Sequence, residues 1–230
     1  MADAFEHLRI KKEPLVNNRR TRDYRIPQTK RGDLRAHGQL IQKNLADAAA
    51  VARQQPGTED GRYILKLSYF GILDFNNLEK HGVNFISQED NQLCIVFANE
   101  EGLATFSDHL ARLGTTEDAA LQYQQILIAL EGVHNWSRAD RESWAIKKLG
   151  FPATESFLLD IELWPVATAQ HQQRARAIES FQRWLDTNHI KIIDKINRDS
   201  LLLYRLSLTK NQADLVLEHR DVRLADLPPR

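Results

Sequence analysis

Cysteine is nearly missing from this chain: Cys94 stands alone among 230 residues, so no internal disulfide can form and a cysteine-based zinc site is not suggested. Its apolar strand-like setting reads as a buried structural thiol. Long apolar runs are missing too. Stretches such as Leu93-Cys94-Ile95-Val96-Phe97-Ala98 fall far below the roughly 18–20 residues that a membrane-spanning helix needs. The opening Met-Ala-Asp-Ala-Phe-Glu-His lacks a basic segment followed by an apolar core, so no secretory signal is read and cytoplasmic residence is expected. Net charge is also absent. Thirty-one Lys and Arg balance 31 Asp and Glu, which removes any overall electrostatic pull toward nucleic acid or anionic lipid, and neither is an expected partner.

The usual chemical signatures are missing as well. Eight histidines occur, yet none lies in His-Glu-x-x-His or another ligand spacing. There is no Gly-x-Gly-x-x-Gly, no Gly-x-x-x-x-Gly-Lys-Ser/Thr and no Gly-x-Ser-x-Gly. Asp160 and Glu162 share one face of a strand pattern, but acid/base work needs a cleft with opposed environments, which a flat sheet face does not offer. No catalytic role, metal or cofactor is expected of this chain.

What is present is an ordinary soluble composition, 42% hydrophobic and 27% charged, arranged in recognisable periods. Residues 1–32 carry Pro14, Pro27 and Gly32 with no sustained period. They read as an extended arm, basic around Arg19-Arg20-Thr21-Arg22 and Arg25. Asp33 can cap a helix in which Leu34, Ile41, Leu45, Ala48, Ala49 and Ala52 recur at helical spacing until Pro56-Gly57. Residues 57–116 follow as β-α-β-β-α: strand 63–69, a short helix from Phe75 to Lys80, a hairpin of Val83–Ser87 with Gln92–Phe97, and a helix from Glu100 to Leu113. That unit is one strand short of complete. A helical connector is expected over 117–152, with helices at 117–131 and 138–149, the latter opened by Ser137 and Asp140, and with Trp136 and Trp144 packed where helices meet.

Residues 153–227 give the clearest pattern, β-α-β-β-α-β. In Phe157–Trp164 the odd positions are apolar, leaving Leu158, Asp160, Glu162 and Trp164 opposite. A helix over 169–187, strands Ile190–Lys195 and Leu201–Leu208, a Thr209/Gln212 capping box opening a helix over 210–219, and a last strand Asp221–Leu227 complete it. The predicted class is α+β: two ferredoxin-like (βαββαβ-type) units with antiparallel sheets, joined by helices, plus an N-terminal arm and helix. With its first and third strands central, the second unit would expose Asp160, Glu162, Leu201, Leu203 and Arg205 on an open face. Residues 153–230 are expected to fold alone.

Several separated segments carry a family resemblance. Lys12-Glu13-Pro14-Leu15-Val16-Asn17-Asn18-Arg19-Arg20, Arg31-Gly32-Asp33-Leu34-Arg35-Ala36-His37-Gly38, Ser200-Leu201-Leu202-Leu203-Tyr204-Arg205 and His219 through Arg230 resemble the N-terminal region of large bacterial subtilisin-like serine peptidases. The family's catalytic surroundings, Asp-Ser/Thr-Gly, His-Gly-Thr and Gly-Thr-Ser, are absent here. A fragment, a cleaved product and a free-standing relative of the pro-region all remain open.

The resemblance implies a noncatalytic pro-region, a folding chaperone and inhibitor that docks on a subtilisin-like catalytic domain in cis or in trans. By position, the docking residues would be Asp160, Glu162, Trp164, Leu201, Leu203 and Arg205 on the open sheet and Asp226, Leu227, Pro228, Pro229 and Arg230 in the tail. Residues 228–230 would lead toward the absent domain. The two carboxylates would face helix N-termini of the protease. A different reading makes the chain a substrate- or partner-recognition module of a protease system, with an associated ATPase as a candidate partner. A third, an RNA-binding sheet, needs exposed aromatics and finds only Trp164.

Overall fold

The computed structural model describes residues 31–71, 78, 81–90, 93–115, 124–165, 171–198 and 201–228. The arm through residue 30, the expected helix from Phe75 to Lys80 apart from the buried Leu78, Pro229, Arg230 and the side chain of Cys94 lie outside them.

Helix α1, Leu34–Ala52, starts where Asp33 accepts a hydrogen bond from the Ala36 N–H at 3.0 Å. Its buried positions Ile41, Leu45, Ala48, Ala49 and Ala52 form the expected stripe. Strands β1 (Arg62–Tyr69), β2 (Asn84–Asp90) and β3 (Leu93–Asn99) follow, then α2 (Glu100–Arg112), α3 (Gln124–Ala129) and β4 (Leu130–Asn135). Helix α2 is capped by Asn99, carries Glu100 and Glu101 in its first turn and Arg112 in its last, all in keeping with the helix dipole. At Gly38 a β-carbon would sit 2.4 Å from the Leu110 carbonyl oxygen, so only glycine lets α1 cross α2 this closely.

These strands make a four-stranded antiparallel sheet in the order β2-β3-β1-β4. Tyr63, Leu65, Leu67 and Tyr69 of β1 point toward α1, α2 and α3, and with Phe106, Leu110 and Leu127 they build one apolar core.

The fourth strand corrects the sequence reading. Residues 117–152 were expected to be a helical connector, and the first unit one strand short. Instead the helix around 124–129 runs directly into β4, whose Leu130, Gly132 and Val133 are buried as it pairs with Leu65–Tyr69 of β1. The open edge of β1 selects strand geometry for a segment too short to declare it locally.

The expected single helix over 138–149 is likewise two. Helix α4, Arg138–Arg141, has the anticipated Ser137/Asp140 capping box, and α5, Trp144–Leu149, has its own cap in Ser143. Glu142 separates them with an extended ψ of 126°, because here the chain leaves the helix to bridge Ala225, with the Ser143 N–H donating to the Ala225 carbonyl at 3.0 Å.

The second unit comprises β5 (Phe157–Leu163), α6 (His171–Thr187), β6 (Lys191–Arg198), β7 (Leu201–Leu208), α7 (Lys210–Glu218) and β8 (Val222–Asp226). Its sheet runs β6-β7-β5-β8, the strand order of the first. Thr209 and Gln212 form the expected capping box at α7. Leu159, Ile161, Tyr204 and Leu206 face Phe181 and Leu185 of α6 and Ala213, Val216 and Leu217 of α7. The molecule is thus α+β with two antiparallel sheets, consistent with two ferredoxin-like units. Among the described residues no helix is long and apolar enough to cross a membrane.

Candidate functional site

Helices α6 and α7 cover one face of β6-β7-β5-β8, and the side chains of the other face range from half-buried to exposed. Pairing register places its side chains in rows across the strands. One row runs Ile196, Leu203, Glu162, Leu224, and the next runs Asp194, Arg205, Asp160, Asp226. Leu158 and Ile196 are 40% and 42% exposed, and Leu201, Leu203 and Leu224 are half-buried. The face is therefore a charged row with Leu158 on one side of it and the apolar residues Ile196, Leu201, Leu203 and Leu224 on the other.

The charged band is already paired. Arg205 grips Asp160 with two hydrogen bonds of 2.7 and 2.8 Å, and Arg223 donates to Glu162 at 2.7 Å. Asp160 and Glu162 are thus ion-pair members, whereas sequence reasoning saw two bare carboxylates. The signal that could have shown this is the antiparallel register, which seats Arg205 directly opposite Asp160.

Trp164 departs further from expectation. It was placed on the open face, yet it is 3% exposed. The β5–β8 register shifts between Glu162 and Leu163, and β5 ends at Leu163, so strict alternation stops before Trp164. Its backbone N–H donates to the Asp221 carbonyl, and its ring meets Trp136 edge-on with centroids 5.1 Å apart. With Trp164 buried and Tyr204 inside the core, no aromatic side chain lies on the described open face. The expected partner of Trp136, Trp144, is instead 70% exposed.

In the tail, Asp226 ends β8 and accepts from the Leu227 N–H, and Leu227 packs against the second core. Pro228 is half-buried. The outer edge of β8 is bridged by Glu142, which leaves β6 as the unpaired edge of this sheet among the described residues.

A second cluster, unforeseen from the sequence, lies where the two units meet. Trp136 and Trp164 join Ile64 and Ile95 on the face of the first sheet that its helices leave open. Polar contacts ring them: Lys66 pairs with Asp140 at 2.7 Å, the Trp136 indole donates to the Arg223 carbonyl, and Gln55 donates to the Trp136 carbonyl.

Beside this aromatic contact, His219-Arg220-Asp221 is almost wholly buried. Arg220 donates to Asp60 and to the Arg62 carbonyl of the first unit and to the Asp221 carboxylate, while its backbone N–H donates to the Pro56 carbonyl. Burial pushes the Asp60 carboxyl upward, but hydrogen bonds from Arg220 and Arg62 hold it below its usual range. Burial wins at Asp221, whose carboxyl is raised despite Arg220.

His219 is surrounded by Phe181 and Trp184, with ring centroids 4.9 and 4.6 Å away. Burial, then the nearby Arg220 and Arg141, drive its pKa down to about 3, so it is neutral and accepts at Nδ1 from the Asp221 N–H. A β-carbon on Gly57 would lie 2.4 Å from this imidazole, and Gly57 also has φ +88°. Glycine is needed there twice over.

Arg141 has no exposed surface and donates from Nε to the Val222 carbonyl at 3.0 Å. Burial lowers its pKa to about 10, which still leaves it charged at neutral pH. The cluster ties residues 56–62 of the first unit to His219-Arg220-Asp221 of the second.

Residues 35–137 match the Y4kK N-terminal domain family and residues 140–227 match the Y4kK central domain family. The chain is also 21% identical over 235 residues to "Uncharacterized protein y4kK" of Sinorhizobium fredii (strain NBRC 101917 / NGR234), a match covering 98% of this chain and 75% of that protein. No solved structure matches. Taken in order, the first sheet with its helices is similar to the N-terminal domain of Y4kK, and the second unit to its central domain.

Proposed function

We propose that this chain is a noncatalytic docking module of the pro-region type, which binds a subtilisin-like catalytic domain in cis or in trans through the open face of β6-β7-β5-β8 and the segment from Asp226 onward. The observation that carries this reading is the apolar row of Ile196, Leu203 and Leu224, with Leu201 beside it, which is exposed at Ile196 and half-buried at the others on the face that α6 and α7 leave free. Exposed apolar area of this kind gains roughly 25 cal/mol per Å² when a partner covers it. The neighbouring Asp160–Arg205 and Glu162–Arg223 pairs would set orientation more than affinity, since they enter the contact already satisfied. The sequence resemblance supplies the identity of the partner, and the closing proline Pro228, with no N–H, limits strand pairing beyond β8.

The test is inhibition in trans of the cognate subtilisin-like domain. The whole chain should slow peptide cleavage, Leu203→Asp should weaken binding at least tenfold, and removal of Asp226–Arg230 should weaken inhibition while leaving part of the binding. A chain that binds without inhibiting, or that binds an associated ATPase instead, would transfer the reading to a recognition module. Completeness of the first unit, far more chain than a minimal pro-region needs, favours that second reading. Unchanged binding by Leu203→Asp would remove the open face from the proposal.

A further inference from the structure

Two buried polar atoms at the junction have no hydrogen-bond partner, and the residues that carry them line the same small space. They are Nε1 of Trp164 and Oδ2 of Asp221, on residues only 3% and 7% exposed. Both residues line a cavity of about 10 Å³ that is completed by Arg62, Leu163, Arg174, Ala177 and Leu202. A buried cavity needs roughly 10–15 Å³ of such space to admit a water molecule, so this one has room for a single water and for nothing larger.

We propose that the cavity is a binding site for one water molecule, which accepts from the Trp164 indole N–H and donates to the Asp221 carboxylate. The two atoms select the ligand by their chemistry. An indole N–H only donates, and a carboxylate oxygen only accepts. A monatomic cation has no lone pair for the indole, ammonium has none either, and a halide has no proton for Asp221. Water has both, at the right size.

The water completes a seam between the units. Asp221 is held at Oδ1 by Arg220, which itself reaches Asp60 and the Arg62 carbonyl of the first unit. Trp164 is held at its backbone by the Asp221 carbonyl and at its ring by Trp136. Linking the indole to Oδ2 fixes the ring orientation that meets Trp136, Ile64 and Ile95. The site is thus a positioning element for the joint, and it stands independently of the docking role proposed above.

Two measurements on the full chain test it. A crystal structure should contain one ordered water within roughly 2.7–3.2 Å of both Trp164 Nε1 and Asp221 Oδ2. In solution, the Trp164 indole proton, assigned by its loss in Trp164→Phe, should show a cross-relaxation peak to water of the sign given by a long-lived bound molecule, together with slow exchange against deuterium. An empty cavity, an indole bonded directly to the carboxylate or to a peptide carbonyl, or an indole proton with no such water peak would each overturn the proposal.

Discussion

The two units share one strand order, and their open sheet faces meet different fates. In the first unit Ile64 and Ile95 are fully buried beneath Trp136, which follows β4, and Trp164 of the second unit, so the two units close this face together. In the second unit Leu158 and Ile196 remain exposed on the corresponding side. A sheet with helices on one face leaves a second face, and here one is closed inside the chain while the other keeps exposed apolar side chains. The same topology therefore yields a structural joint in one place and a candidate docking face in the other.

Separating the units should break this comparison most severely. A fragment of residues 153–230 was expected to fold alone, but it would expose Trp164 and strand Arg220 and Asp221 without Asp60, Arg62 and Pro56. Relative to the whole chain it should lose about 3–5 kcal/mol of stability or fail to fold, as read from urea unfolding followed by circular dichroism. Equal midpoints and equal extrapolated stabilities would mean that the joint contributes little.

Within the full chain, Arg220→Met leaves the buried Asp221 without its cation, while the exposed Asp60 keeps Arg62. About 3–5 kcal/mol should be lost, because the Asp221 carboxylate then stands desolvated beside an apolar side chain. Equilibrium denaturation measures it directly.

His219 sharpens the joint by pH. Its folded pKa is about 3 against an ordinary 6.5, so between those values the unfolded chain binds the proton that the folded chain refuses. Its contribution is complete above pH 6.5 and is lost as pH falls toward 3, by up to a few kcal/mol. Asp221, raised by burial, acts in the opposite sense: it favours the folded state while protonated at low pH and loses that advantage as pH rises through its folded pKa. Comparing unfolding from pH 7 to 4 in the parent and in His219→Asn isolates the histidine, and the variant should show the shallower acid loss.

Smaller effects are expected away from the joint. Thr209→Ala removes the cap of α7 and should cost about 1 kcal/mol in a thermal melt corrected to constant temperature. Arg205→Met breaks the partly exposed pair with Asp160 on the open face and should lower the melting midpoint least of these variants. If Arg205→Met proved as damaging as Arg220→Met, the contrast between joint and open face would fail.

Local pattern was enough to identify α1, the alternation of Phe157–Leu163, the strand Leu201–Leu208 and the Thr209/Gln212 cap, because each is written in residues close along the chain. It also sufficed for the α+β class, since two runs of alternating strand and helix periods leave few other arrangements. Strand β4 escaped it. Leu130–Asn135 takes its geometry from the edge of β1, more than sixty residues away, and no local period announces that partner.

Function-bearing surfaces divide in the same way. That Asp160, Glu162, Leu201, Leu203 and Arg205 share a face follows from a period of two and from placing β5 and β7 at the centre of the sheet. That the carboxylates are paired, that Trp164 turns inward, and that His219-Arg220-Asp221 is buried against residues 56–62 were decided only by register, by the end of a strand and by the packing of one unit on the other. Sequence period fixes which side of its own element a residue faces. Only tertiary packing decides what stands on that side.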